Sequence, residues 1–430
     1  MSPQLSRLRA ITALAAGAVL LASCVRTAPG GGPSAGPEPH RGLGDVPAAD
    51  LGFVQHPDAV QWASASDWIP PGDGVRALLP VGDCALGLGT YQNGHRAVTA
   101  NWTGPATCDR LDLDPAPDGS TRAGDGPPDV SSGWPGGGIG ADAAVLERDG
   151  SILAADSSGL IRYRPGGQVE RLARDDFAEP GFEGQGTRSS IRQLAVTGRG
   201  TVVLDAGRSN PGSTAPVLLI SRDGGRTLSP VNLPGPAAGM EAQPVIGVLA
   251  AAGETIVAIG SGPRRAATWR STDSGRTWQV SAVEDLPQHL LLTRLVRAGD
   301  RWLAFGGVDH ESGAQDDTVV LTSTDGLRWD RGVTTGMGVG RIRDVTVTPG
   351  GTIVAVASID DATRPAVDQR PEYCGVVWVG DGGKPWRRGE LGCGDSPPQA
   401  VTTLRDGRVL IAGNRDLWLR PAAVGAAAGG

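Results

Sequence analysis

The chain has 430 residues, with 66 Gly and 33 Pro against only 4% aromatic and 20% charged residues, a composition that excludes a long-helix or coiled-coil protein. Its hydrophobic content of 39% suffices for a core, so the body is expected to be folded, turn-rich and all-β. The net charge of -7 offers no footprint for nucleic acid, whose binding rests on concentrated positive charge. Lys384 is the only lysine, and the preference for Arg reads as the composition of a GC-rich, actinobacteria-like genome.

In chain order, the first signal is a leader. Arg7 and Arg9 precede an apolar run over 11–21, too short to span a bilayer as a helix. Leu21-Ala22-Ser23-Cys24 resembles the lipobox of bacterial lipoproteins, which implies a signal peptide over 1–23, lipidation of Cys24 and anchoring on the outer side of the cell membrane. Residues 24–47, with Gly30-Gly31-Gly32-Pro33 and Pro37-Glu38-Pro39, read as a flexible tether. The remaining cysteines form two local pairs, Cys84 with Cys108 and Cys374 with Cys393, expected to close as disulfides in an oxidising compartment.

From residue 48 to 421 the chain repeats itself. Ser221-Arg-Asp223-Gly-Gly225-Arg-Thr227-Leu228 returns as Ser271-Thr-Asp273-Ser-Gly275-Arg-Thr277-Trp278. It recurs, shortened, as Ser323-Thr-Asp325-Gly-Leu-Arg-Trp329, and degraded as Val379-Gly-Asp381-Gly-Gly383-Lys-Pro385-Trp386, so that the aspartates are 50, 52 and 56 residues apart. In such a turn the carboxylate accepts N–H groups, Gly tolerates positive φ and Trp packs beneath. Asp223, Asp273, Asp325 and Asp381, with Trp278, Trp329 and Trp386, are therefore read as structural. Between the boxes lie pairs of short apolar runs split by Gly or Asp-Gly, for example 144–154, 194–204, 248–258 and 345–355, which read as inner antiparallel strands.

This pattern resembles the Asp-box (BNR) repeat of sialidase-like β-propellers. The resemblance implies a propeller of four-stranded blades, and at a spacing of about 50 residues the body over 48–421 holds seven of them, six or eight being the alternatives. The expected blades are 73–114, 139–173, 190–233, 243–284, 290–334 and 341–391, plus a closing blade. That last blade combines C-terminal strands over 399–421 with an N-terminal strand at 60–64, leaving 422–430 as a disordered tail.

On such a disc, recognition belongs to the loops opposite the Asp-box turns: 206–215, 306–317, 359–374, 115–138 and 174–190. Aligning the inner strands places Asp142, Arg192, Ile246, Leu292, Arg343 and Gln399 in one column at the channel mouth, with Arg76 and Arg294 one and two positions away. Converging arginines there make a candidate site for a carboxylate or sulfate.

The sialidase machinery does not transfer. The Phe/Tyr-Arg-Ile-Pro motif is absent, and Tyr91, Tyr163 and Tyr373 have no evident Glu partner. No metal site or cofactor is expected; the one candidate is Ca2+ at Asp316-Asp317 and Asp360-Asp361, which lack a defined ligand spacing. Propellers related to photosystem assembly factors carry similar repeats and act by binding. The expectation is thus a monomeric, non-catalytic module for a protein or glycan ligand. The alternative is a sialidase-like glycoside hydrolase, with Asp142 or Glu241 as acids.

Overall fold

The computed structural model describes residues 45–61, 74–93, 96–114, 139, 143–156, 159–174, 191–209, 216–235, 245–261, 266–283, 286–287, 289–308, 317–360, 373–394, 398–413 and 415–423, all within the unit Arg41–Gly430. Seven antiparallel four-stranded sheets follow one another along the chain. Six are each built from one continuous stretch: 74–113, 143–174, 193–232, 245–283, 290–331 and 341–394, blades 1 to 6. Inner strands of consecutive blades from 2 to 7 pack on one another, that of blade 7, Ala400–Thr403, packs on that of blade 1, Gly74–Leu79, and blades 1 and 2 share an apolar layer, closing the ring. The protein is a seven-bladed β-propeller.

The second strand of each blade is buried on both faces, so it reads as an unbroken apolar run rather than an alternating one. In blade 3 Val202 and Leu204 pack towards blade 2, while Val203 between them packs towards blade 4. The hydrophobic core is accordingly a set of interblade layers.

Closure is by strands from both ends of the chain in one blade. The N-terminal strand, however, is Val54–His56, paired antiparallel with Leu417–Leu419, and not the 60–64 segment expected. Val60 instead forms an isolated bridge to Leu111, and residues 62–64 lie outside the described residues. A further strand, Asp45–Pro47, pairs parallel with the outer strand of blade 6. The tether expected over 24–47 therefore ends in ordered structure. Between the two strands Leu51 and Phe53 insert into the layer separating blades 6 and 7, at 4% and 2% exposure.

Four inner strands carry a β-bulge, in blades 1, 4, 5 and 6. The bulge bends the strand end onto its neighbour, which explains a glycine at that height. A Cβ on Gly89 would stand 1.8 Å from Gly74 O, and one on Gly306 would stand 2.1 Å from Leu291 O.

Candidate functional site

The four Asp turns sit between the third and fourth strands of blades 3 to 6, on the same face as the inner hairpin turns. In blade 4 Asp273 Oδ1 accepts Ser271 Oγ (2.8 Å), Arg276 N (3.0 Å) and Thr277 N (2.9 Å), while Oδ2 accepts Thr277 Oγ1 (2.7 Å). Ser271 Oγ accepts Gly275 N at 2.7 Å, which seals the turn. Asp223 repeats the pattern with Ser221 and Thr227. Asp325 takes the N–H groups of Leu327 and Arg328, and Asp381 those of Gly383 and Lys384. Trp386 is the deepest of the three tryptophans, edge-on to Phe305 with its Nε1 on Val333 O. Trp278 and Trp329 bond Gly275 O and Thr268 Oγ1.

These bonds stabilise the ionised carboxylate. The Thr277 hydroxyl and amide lower the Asp273 pKa to about 2, and the Thr227 amide likewise holds Asp223 well below the usual range. Stability tied to a carboxyl depressed in the fold is present above its unfolded value and lost as pH falls through the folded one. Asp273→Ala is expected to cost about 1–2 kcal/mol at neutral pH. It is also expected to flatten the loss of stability between about pH 4 and pH 2, as read by urea unfolding across that range. An unchanged acid limb would contradict this role.

At the loop-face mouth of the channel the predicted column slips. In blades 2, 3, 6 and 7 five residues lie between the last inner-strand pair member and its partner, as in Val347↔Ile353. In blades 4 and 5 the pairs at that level, Ala251↔Ile256 and Arg297↔Trp302, enclose four, and one further pair, Ala252↔Thr255 and Ala298↔Arg301, tightens each turn. Counting back from the second strand therefore overshoots by one residue in those two blades. The positions level with Arg192, Arg343 and Gln399 are Gly247 and Thr293, rather than Ile246 and Leu292, which are buried. Asp142 lies outside the described residues, as does Glu241. Arg192 and Gln399 enter their strands through backbone bonds to Asp205 O and Ala412 O. Arg76 occupies the bulge of blade 1 and is exposed. Arg343 donates Nε to Ser358 Oγ at 2.9 Å, and both arginines have further partners.

What the structure brings together here is Arg294 and Asp344, level with each other on adjacent inner strands. Arg294 Nε donates to Asp344 Oδ1 at 2.6 Å. The same Oδ1 accepts Val345 N, and Oδ2 accepts Val401 N from blade 7 at 3.0 Å. One buried carboxylate thereby ties blades 5, 6 and 7, and its charge raises the Arg294 pKa further. Both Asp344 oxygens are committed to this joint.

Two interblade devices escaped the sequence reading. Trp102, Trp269 and Trp378, on the third strands of blades 1, 4 and 6, donate Nε1 to Gln61 O, Pro234 O and Met337 O in the chain leaving the preceding blade. Arg162, Arg222, Arg270 and Arg301 each reach a carbonyl in the Asp turn of the following blade: Gly224, Gly275, Asp325 and Asp381. The available signal was Trp269 two residues ahead of Ser271, with Trp378 the same distance from Gly380.

Both disulfides form. Cys84–Cys108 joins the inner turn of blade 1 to its outer turn, and Cys374–Cys393 cross-links a directly opposed strand pair in blade 6.

Most of the loops expected to carry recognition, including 115–138, 175–190, 210–215, 309–316 and 361–372, lie outside the described residues, and so do Asp316, Asp361 and Cys24. Among the described residues no three His, Cys, Asp or Glu side chains gather as a metal site.

No protein-family model and no curated protein matches the chain. Among solved structures it is similar to the extracellular domain of BT4673 from B. thetaiotaomicron, with a TM-score of 0.50 and 10% identity over 85% of this chain. This chain spans 40% of that one. "YCF48 bound to D1 peptide" follows at TM-score 0.48 and 13% identity, covering 85% of this chain and 100% of that one. The GH93 α-L-arabinofuranosidase of Fusarium graminearum with arabinobiose reaches 0.36 and 14%, covering 51% and 73%. At these identities the likeness is one of fold.

Proposed function

We propose that this protein is an Asp-box propeller of the sialidase-like group, held through a lipidated Cys24 on the outer side of the cell membrane, where it binds a protein or glycan without catalysis. The observation that carries the non-catalytic part is the state of Asp344. A glycosidase needs a carboxyl group free to give or take a proton beside the scissile bond. This inner-ring acid spends both oxygens on Arg294, Val345 N and Val401 N. The four Asp-turn carboxylates are likewise consumed by their own turns, on the face away from the recognition loops. Two disulfides favour an oxidising exterior, and the Leu21–Cys24 lipobox supplies the anchor.

The mature domain is expected to turn over neither a fluorogenic sialoside nor a panel of aryl glycosides, and to retain partners in cross-linking and glycan-array experiments. Cys24→Ala is expected to release the protein from membranes. Turnover that disappears in Arg343→Ala would replace this reading with the hydrolase.

A further inference from the structure

The channel also opens on the turn face, where the inner hairpin turns of blades 1, 5, 6 and 7 surround a cavity of about 700 Å³. Space is available because the blade 6 turn is Thr348-Pro349-Gly350-Gly351, with no long side chain. Gly351 has φ +79°, and nothing lies within 4 Å of where its Cβ would be.

Among the described residues, the only charged ones lining the cavity are two arginines, Arg297 and Arg405, one on each flanking blade. Arg297 is held in place: its guanidinium lies 5.2 Å from the centre of the Trp302 ring, and its Nε donates to Gly299 O at 3.1 Å. That leaves its two terminal amino groups for a ligand. Arg405 is exposed, and among the described residues it makes no ion pair or hydrogen bond. Its Nη2 lies 3.7 Å from the Cβ position of Gly150 in blade 2, so the side chain arches across the mouth from blade 7. Of the acids in these turns, Asp300, beside Gly299, is exposed and lies 4.0 Å from Arg301 Nε. Asp406 pairs with Arg408, which is itself fixed on the carbonyls of Asp83, Ala106 and Thr107. Asp149 faces Arg164 at 3.8 Å.

Two arginines lining a bowl otherwise made of Pro, Val, Leu, Thr and Gly, with no carboxylate in that lining, match an oxyanion carried on a larger body, which takes paired N–H donors from Arg better than from any other side chain. We propose that this mouth binds the carboxylate, sulfate or phosphate of a sugar-sized acidic ligand. The site is separate from the loop face and does not depend on the binding reading given above.

The test uses the whole mature chain at constant ionic strength, with glucuronate, glucose 6-phosphate, inorganic phosphate, sulfate and uncharged glucose as probes. Calorimetric titration and thermal shift are expected to show saturable binding of at least one anion and none of glucose. Arg405→Ala is expected to weaken that binding about tenfold or more, with partial recovery in Arg405→Lys. Arg294→Ala, at the opposite mouth, should leave it unchanged. A stronger response to glucuronate or glucose 6-phosphate than to the inorganic ions assigns a sugar-borne group, and the reverse assigns the free anion. Absence of saturable binding by all four anions overturns the proposal. So does binding that survives Arg405→Ala combined with Arg297→Gln, provided both variants melt as the parent does.

Discussion

A chain starting at residue 57 is expected to fail as a stable monomer, whereas one starting at 45 keeps every described strand and should unfold like the parent. The cut removes Val54–His56, leaving the Leu417–Arg420 strand as an open edge. It also removes Leu51 and Phe53 from the layer they share with Val377, Leu391, Val401 and Ile411. Burying each of these two side chains stabilises by roughly 2–3 kcal/mol, so together they amount to about 5 kcal/mol. Domains commonly have only about 5–15 kcal/mol in total. Aggregation or a large drop in the urea midpoint is the expected readout, with Phe53→Ala alone costing about 3–5 kcal/mol. A soluble monomer of unchanged midpoint would show that the ring closes without its N-terminal latch.

Asp344→Ala is the second large effect. It removes the acceptor of two backbone N–H groups, one from each of two blades, and leaves Arg294 without its counter-charge. Taking one partner from a buried pair typically costs about 3–5 kcal/mol. Because the Arg294 side chain is 37% exposed, water screens part of that loss, and about 3 kcal/mol is expected. Arg294→Ala should cost less, since Asp344 keeps both N–H donors. A double-mutant cycle isolates the coupling, and a value near zero would mean that the joint is held by the backbone bonds alone.

The blade count and the Asp turns were legible because each is a local event. Ser271, Asp273, Gly275 and Thr277 bond one another within seven residues, so their chemistry shows as a contiguous motif. The latch was misplaced for an equally physical reason. An outermost strand pairs through its backbone, and Val54 and Gln55 are exposed, so no apolar alternation marks it, whereas Val60 looked the better strand. The column at the channel mouth slipped because the inner turns of blades 4 and 5 are one residue shorter, a difference that side-chain pattern alone does not reveal.

From its own letters, then, the chain declares a ring of repeated hairpins, which turns hold the aspartates and which cysteines can pair, since these depend on neighbours a few residues away. Only the folded disc decides that Asp344 is a joint across three blades and that Arg162, Arg222, Arg270 and Arg301 strap each blade to the next. It also decides that Arg297 and Arg405 line one cavity. Those relations span 50 or more residues and arise from ring closure, which sets far-apart side chains at one height around a common axis.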